Sequence, residues 1–106
     1  MPKYLFRGSY TGEGLKGVLK EGGSSRVEAV KQLVEGLGGK LETFYFAFGD
    51  DDFFIITDAK DNVSTLAGTL IANVSGASKV KTTVLLTPEE VDEATKMTAD
   101  YRPPGQ

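Results

Sequence analysis

The chain has 106 residues, 40% of them hydrophobic and 25% charged, so it is expected to fold as one globular domain spanning residues 1–106. Its net charge of −3 argues against nucleic acid or an anionic membrane as a partner, because phosphate groups are bound by clustered lysines and arginines. The absence of cysteine and histidine excludes disulfides, thiolate metal sites, a cysteine nucleophile and the usual general base near neutral pH.

The sequence is expected to contain no N-terminal signal peptide and no membrane-spanning helix. The first residues, MPKYLFRGSY, contain no long apolar run. No stretch approaches the roughly 18 apolar residues of a membrane-spanning helix. We therefore expect a cytoplasmic protein, and no motif predicts a cofactor.

The chain begins with a strand and a broken helical crossover. Side chains alternate between two faces over residues 3–9, which predicts the first strand. Thr11 can cap a short helix, which the pair Gly22-Gly23 interrupts. Ser25 and Glu28 have the spacing of a capping box and predict where the second part of the crossover begins. That helix is expected to end at Gly38-Gly39.

The aromatic residues are concentrated in the next stretch, LETFYFAFGDDDFFIIT, which holds six of the ten in the chain. It predicts a hairpin of two strands, residues 40–48 and 52–57, with a turn at residues 49–51. Both faces of this hairpin are apolar, whereas a sheet with one solvated face alternates apolar and polar residues. The second face is therefore expected to be covered by another subunit, with Phe44, Phe46 and Phe48 as the interface candidates.

The second half of the chain predicts a helix, a strand and a final helix. Asn62 is expected to cap a helix with one buried stripe, formed by Val63, Leu66, Ala67, Leu70, Ile71 and Val74. Residues 79–86 predict the fourth strand. The sequence Thr87-Pro88-Glu89-Glu90 predicts a helix start, and residues 99–106 an extended C-terminal tail.

The order of the elements is β-α-β-β-α-β plus a C-terminal helix, which is the ferredoxin-like α+β pattern. It predicts one antiparallel four-stranded sheet with its helices on one face. The strand at residues 40–48 then lies at an edge. A bare aromatic edge strand invites association, so we expect a homodimer or a larger homo-oligomer.

Three segments, KYLFRGSYT, GGKLETFYFAFGDDDFFII and VKTTVLLTPEEVDEA, resemble the GYD-domain family of small bacterial proteins. They occur in the family's order and cover nearly the whole chain. The resemblance implies a ferredoxin-like fold close to the dimeric α/β-barrel superfamily, and it implies no particular activity. Gly49 and Asp52 match the Gly and Asp of the family signature, whereas Asp51 stands in place of its Tyr. This departure argues against a role that depends on a phenol at that position.

Candidate ligand-binding residues are Arg7 and Lys81, which the expected strand order brings together on the sheet face away from the helices. Two cations there could hold a carboxylate or an enolate. Alternatively, Arg7 could pair with Glu42 or Asp58 across an oligomer interface. The remaining candidates are the hydroxyl donors Tyr10 and Tyr45, and Asp52, which begins a strand.

Other motifs carry weaker signals. Residues 50–52 are three consecutive aspartates, but adjacent residues seldom converge on one metal ion, so a polar turn is preferred and no metal is expected. Residues 12–17 fit G-x-G-x-x-G, but without the strand order of a dinucleotide site, so they predict a flexible helix entry or a mobile lid. The FYFAF strand is similar to the stacking strands of RNA-binding modules, but the hairpin lacks the required cations.

Three classes of function remain open. The first is a module that binds a small anionic or aromatic ligand on the open sheet face. The second is a cofactor-independent isomerase or oxygenase of the dimeric α/β-barrel kind, with a carboxylate or Tyr as its base. The third is a structural or regulatory interaction protein without a ligand.

Overall fold

The computed structural model describes all residues from Met1 to Gln106. The strands are β1 (Lys3–Tyr10), β2 (Lys40–Phe46), β3 (Phe53–Asp58) and β4 (Ser78–Leu85). The helices are α1 (Gly12–Glu21), α2 (Gly23–Gly36), α3 (Asn62–Val74) and α4 (Pro88–Thr95). The strands form one antiparallel sheet in the order β2-β3-β1-β4, which confirms the predicted ferredoxin-like topology and the edge position of β2.

The crossover from β1 to β2 is broken at one glycine. Thr11 caps α1 as predicted, because its side chain accepts the N–H of Gly14. Gly22 then adopts a φ of +85° and donates its N–H to the Val18 carbonyl, which ends α1. The prediction that Ser25 caps the next helix is wrong, because α2 begins at Gly23 and Ser25 lies in its first turn.

The cap of α3 differs by one residue from the prediction. Asp61, not Asn62, is the N-cap, and its carboxylate accepts the N–H of Ser64 at 2.8 Å. The Asn62 side-chain oxygen instead accepts the hydroxyl of Tyr4, which is buried in the core. Asn62 therefore ties the start of α3 to the sheet.

The apolar stripe of α3 is exposed, which contradicts the prediction that it is buried. Polar groups along one flank of the helix hold that flank against β4. Thr69 shares a hydrogen bond with Thr82, and the Asn73 amide pairs with both the N–H and the carbonyl of Val80. The residues that face the sheet are therefore small, with Gly68 and Thr65 among them.

The C-terminal segment stands away from the sheet. Thr87 and Glu90 form the predicted capping box at the start of α4. No helix or strand follows Thr95. The molecule is 58 Å long and only 32 and 23 Å across, with a radius of gyration of 17.2 Å. A compact domain of this length would have a radius of gyration of about 13 Å, so the difference reflects the projecting C-terminus.

Most of the buried side chains lie where the sheet faces the helices. They include Tyr4 on β1 and Phe53, Ile55 and Thr57 on β3. These two strands are the central pair of the sheet. The core is thus one-sided, since the opposite face of the sheet has no covering layer.

Candidate functional site

The side chains of β1 alternate between the two faces and divide the candidate residues between them. Arg7 lies on the open face, the sheet face turned away from the helices. In the strand register Arg7 is opposite Lys81 on β4 and Phe54 on β3, and Phe54 is opposite Tyr45 on β2. One row across the open face therefore contains three of the candidates. Tyr10 points to the other face, beneath the helices.

Arg7 and Lys81 share an intramolecular partner, Asp51. The Asp51 carboxylate lies 3.0 Å from an Arg7 Nη1 and 3.9 Å from the Lys81 Nζ, and its side chain is only 9% exposed. Asp51 comes from the loop between β2 and β3. An external anion at Arg7 and Lys81 would therefore compete with a carboxylate of the chain itself.

The open face holds a second charge cluster near the start of β1. Lys3 Nζ lies 2.8 Å from both Asp58 and Glu42. The hydrogen bond from Lys3 holds the pKa of Asp58 below its usual value, and the hydrogen bonds to Asp58 and Glu42 raise the pKa of Lys3. The two acids proposed as partners of Arg7 across an interface are thus bound to a lysine of the same chain.

Asp52 bonds the backbone of β1, which is a structural role. Its carboxylate accepts the backbone N–H of Tyr10 at 2.9 Å, and its own N–H donates to the Gly8 carbonyl at 2.7 Å. These bonds fasten the β2–β3 loop across the end of β1. The neighbouring Asp50 is exposed. No group of three or more acidic side chains anywhere in the chain is arranged to hold a metal ion.

Close packing accounts for only one glycine of the G-x-G-x-x-G motif. A Cβ added to Gly14 would lie 2.0 Å from the carbonyl oxygen of Ala77, so α1 approaches that loop closely only because residue 14 is glycine. A Cβ added to Gly12 or Gly17 would meet no atom within 4 Å. Packing therefore requires glycine at only one of the three glycine positions of the motif, residue 14.

A cavity of about 360 Å³ lies between the helices and the sheet. We call it the helix–sheet cavity. The α2 and α3 helices approach each other where Leu37 lies against Gly68, and α2 otherwise covers β2 while α3 covers β4. Most of the lining is apolar, and the main contributors are Phe6, Val30, Leu33, Phe44, Ile55 and Val80.

Four aromatic rings cluster at one end of the helix–sheet cavity, and those of Tyr10, Phe44 and Phe53 line it. Tyr10 lies 5.1 Å from Phe53 and 6.5 Å from Phe46 between ring centroids, and Phe44 lies 5.0 Å from Phe46. Phe44 and Phe46, which were predicted from the sequence to lie in an interface, therefore have aromatic partners within the chain. Phe48, the third predicted interface residue, is fully exposed in the loop between β2 and β3. Its role in an interface stays a prediction.

Polar groups stand at both ends of this apolar cavity. At the aromatic end, burial raises the pKa of Tyr10 and the Asp52 carboxylate adds to the effect, while the adjacent Arg26 guanidinium opposes it. The Tyr10 phenol thus stays protonated at neutral pH and can donate a hydrogen bond. Toward the start of α3, Thr65 is 7% exposed, and its hydroxyl has no hydrogen-bond partner in the chain.

Arg26 and Thr65 were not predicted as site residues from the sequence, although the helical spacing around each of them could have indicated its position. Arg26 precedes Val30, Leu33 and Leu37 at helical spacing, so it is a single cation on the apolar stripe of α2. Thr65 begins a second helical series on α3 made of small residues. The larger apolar side chains of α3 form the more conspicuous series, and they point outward.

None of the helices combines the length and apolar composition needed to cross a membrane. The sheet, the broken crossover and the cavity define an α+β protein of ferredoxin-like topology with a ligand-sized space under its helices. A family model described as "GYD domain" matches residues 4–95, and the chain belongs to the GYD-domain family. Searches of curated proteins and of solved structures found no match.

Proposed function

We propose that this protein is a homo-oligomeric module that binds a small organic anion with an aromatic or apolar body, and that the ligand occupies the helix–sheet cavity. The observation that carries the proposal is a cavity of about 360 Å³ containing a buried hydroxyl without a partner, that of Thr65. Small-molecule sites typically have volumes of about 300 to 1,000 Å³ and a few polar groups in an apolar lining. A buried polar group is normally hydrogen-bonded, and the Thr65 hydroxyl is available to bond a polar atom of a ligand.

Arg26 is the proposed anchor for the anion. It is half-buried, it lines the cavity, and it forms no ion pair within the chain. A guanidinium binds a carboxylate through paired hydrogen bonds. The protonated hydroxyl of Tyr10 beside it adds a further donor. The aromatic rings that line this end, those of Tyr10, Phe44 and Phe53, suit a flat, apolar ligand body.

The open face, where the sequence located the ligand, is the less favourable position. Arg7 and Lys81 already share the carboxylate of Asp51. The exposed Phe54 and Tyr45 in the same row suit contact with a second subunit instead. In this proposal the open face contributes to self-association and the helix–sheet cavity to ligand binding.

An isomerase or oxygenase without a cofactor is the alternative from the sequence. Such an enzyme needs a base at the reacting carbon. Burial keeps the Tyr10 phenol protonated, so this residue supports binding and does not support proton abstraction. An interaction protein without a ligand is the remaining alternative, and the experiment below separates it from a binding module.

The test is calorimetric titration of the full chain with 2-naphthoate and with its neutral isostere 2-naphthamide. We expect the carboxylate to bind more tightly than the amide. Arg26→Gln should weaken 2-naphthoate about 10-fold or more, because a hydrogen bond to a charged group contributes about 1.5 to 3 kcal/mol. The same variant should leave 2-naphthamide nearly unchanged.

Two matched variants serve as controls. Lys31→Gln removes a cation from the exposed side of α2 and should not change either affinity. Lys81→Gln tests the open face. If Lys81→Gln weakens 2-naphthoate and Arg26→Gln does not, the ligand site is on the open face and the cavity assignment is wrong. Absence of binding to the wild-type chain by both compounds would favour the interaction protein.

A further inference from the structure

The C-terminal arm, which we define as residues 87–106, has little contact with the rest of its own chain. Every residue from Pro88 to Gln106 is exposed except Pro103. The arm nevertheless carries apolar side chains, with Val91, Met97 and Tyr101 exposed by 51, 80 and 77%. Apolar groups on a projecting segment indicate a surface that is covered in an assembly.

A matching surface without a partner lies on α3. Its outer face, formed by Val63, Leu66, Leu70 and Val74, is between 56 and 85% exposed. The whole helix, NVSTLAGTLIANV, contains no charged residue. A helix with apolar residues on its solvent side is normally buried against another element.

The α3 outer face is an apolar surface without charges of its own. The arm contains five acidic and two basic residues, a net charge of −3. The α3 helix contains no charged residue, and Lys60 and Asp61 directly precede it. Lys79 and Lys81 lie on the open face of the sheet with Arg7, so they do not flank α3. The contact between the arm and α3 is therefore apolar.

The arm does not pack against its own α3. Only Leu86 and Thr87 separate β4 from α4. The capping box between Thr87 and Glu90 holds the first turn of α4, and Pro88 restricts its backbone further. The short, fixed connection leaves the arm projecting from the body of the molecule, where it can reach a neighbouring subunit.

We propose that the C-terminal arm of each subunit docks on the α3 outer face of a second copy of this chain, in a reciprocal exchange. Reciprocal contacts are what a two-fold axis produces. Seven apolar side chains that bury about 60 to 100 Å² each, counted for both contacts, give about 800 to 1,400 Å². This overlaps the range of about 1,200 to 2,000 Å² for stable interfaces.

The test is disulfide trapping, for which the absence of cysteine from the chain provides a clean background. Leu70→Cys and Val91→Cys are placed in separate chains of different tag length, and the chains are co-expressed and oxidised. The proposal predicts a disulfide-linked dimer of mixed mass. Co-expressed Lys31→Cys and Val91→Cys chains should give no such product, since Lys31 lies on the exposed side of α2.

A second measurement tests the proposal without cysteines, in case the cysteine variants do not fold. Val91→Asp with Met97→Asp alters only exposed side chains, so the subunit should fold normally. The dimer dissociation constant should rise about 10-fold or more, with the affinity for 2-naphthoate unchanged. An intrachain disulfide in the Leu70→Cys, Val91→Cys double variant, without mixed dimers, would show that the arm folds back on its own chain. Absence of both products, or an unchanged dissociation constant, would also overturn the proposal.

Discussion

The hydroxyl of Thr65 is expected to lower the stability of the chain. It is buried without a partner, and leaving such a group unsatisfied costs about 1 to 3 kcal/mol. We therefore predict that Thr65→Val, which keeps the shape and replaces the hydroxyl by a methyl group, stabilises the chain by about 1 kcal/mol. Urea unfolding of the two proteins measures this difference.

Thr69 provides the matched control one helical turn later. Its hydroxyl bonds the Thr65 carbonyl and the Thr82 hydroxyl. Thr69→Val should destabilise the chain by about 1 kcal/mol, since it breaks these bonds. Equal losses in the Thr65→Val and Thr69→Val variants would mean that the Thr65 hydroxyl is satisfied.

The pairs that Asp51 forms on the open face should differ in strength. Arg7 is closer to the carboxylate than Lys81, at 3.0 against 3.9 Å, and its side chain is less exposed, at 41 against 65%. Double-mutant cycles with alanine should give a coupling of about 1 kcal/mol for Arg7 and near zero for Lys81. A larger coupling for Lys81 would contradict the geometry described here.

At the scale of single elements, two glycines of α1 should respond in opposite ways to alanine. Gly17→Ala meets no atom within 4 Å and should stabilise the helix by about 0.5 to 1 kcal/mol. Gly14→Ala brings a Cβ to 2.0 Å from the Ala77 carbonyl oxygen and should destabilise the fold severely. Thermal unfolding of the two variants measures both effects. Similar melting temperatures would refute the packing role of Gly14.

The helix cap at Asp61 should make stability depend on acid pH. The N–H of Ser64 holds the Asp61 pKa below its usual value of 3.8, and the hydrogen bond from Lys3 lowers the pKa of Asp58 in the same direction. A lowered folded-state pKa adds stability that is present above the unfolded pKa and is lost as the pH falls through the folded pKa. Unfolding free energy should therefore fall as the pH drops below about 4.

Asp61→Asn separates the cap from its charge. Asparagine caps a helix about as well as aspartate but does not titrate. Urea unfolding across acid pH should show a smaller loss of stability in this variant than in the wild type. An identical pH profile would mean that the Asp61 carboxylate does not contribute.

Lys3 affects stability at the opposite end of the pH range. Its raised pKa adds stability that is lost only as the pH rises above the usual lysine value of 10.5.

The elements could be predicted from the sequence because their signals are local. Alternation over β1, the glycines at 22 and 23 and the capping box at Thr87 each depend on neighbouring residues. The orientation of α3 could not be predicted in this way. Its conspicuous apolar stripe faces solvent because Asn73 and Thr69 bond β4, and those bonds exist only in the folded sheet.

The candidate site, like α3, could be predicted from the sequence only in part. The strand order brought Arg7 beside Lys81 as expected. The sequence could not show that Asp51 would reach both cations, because the path of the loop between β2 and β3 depends on its bonds to β1. Arg26 was overlooked because the space it lines exists only between α2, α3 and the sheet.

At the scale of the whole molecule, one subunit leaves much apolar surface uncovered. The exposed side chains occupy the open sheet face at Phe54 and Tyr45, the outer face of α3, and the C-terminal arm. Exposed apolar groups on several sides favour self-association. The proposed arm exchange covers the arm and the α3 outer face, and the proposed open-face contact covers Phe54 and Tyr45. Both leave the helix–sheet cavity available to a small molecule.

Native mass spectrometry of the full chain with 2-naphthoate tests this account most directly, because one spectrum reports the number of subunits and the bound molecules together. We predict a dimer or a larger homo-oligomer carrying up to one 2-naphthoate per subunit, with the adduct lost in Arg26→Gln. A monomer would contradict the proposed assembly. An oligomer that never carries 2-naphthoate, or that carries it equally well in Arg26→Gln, would contradict the proposed cavity site.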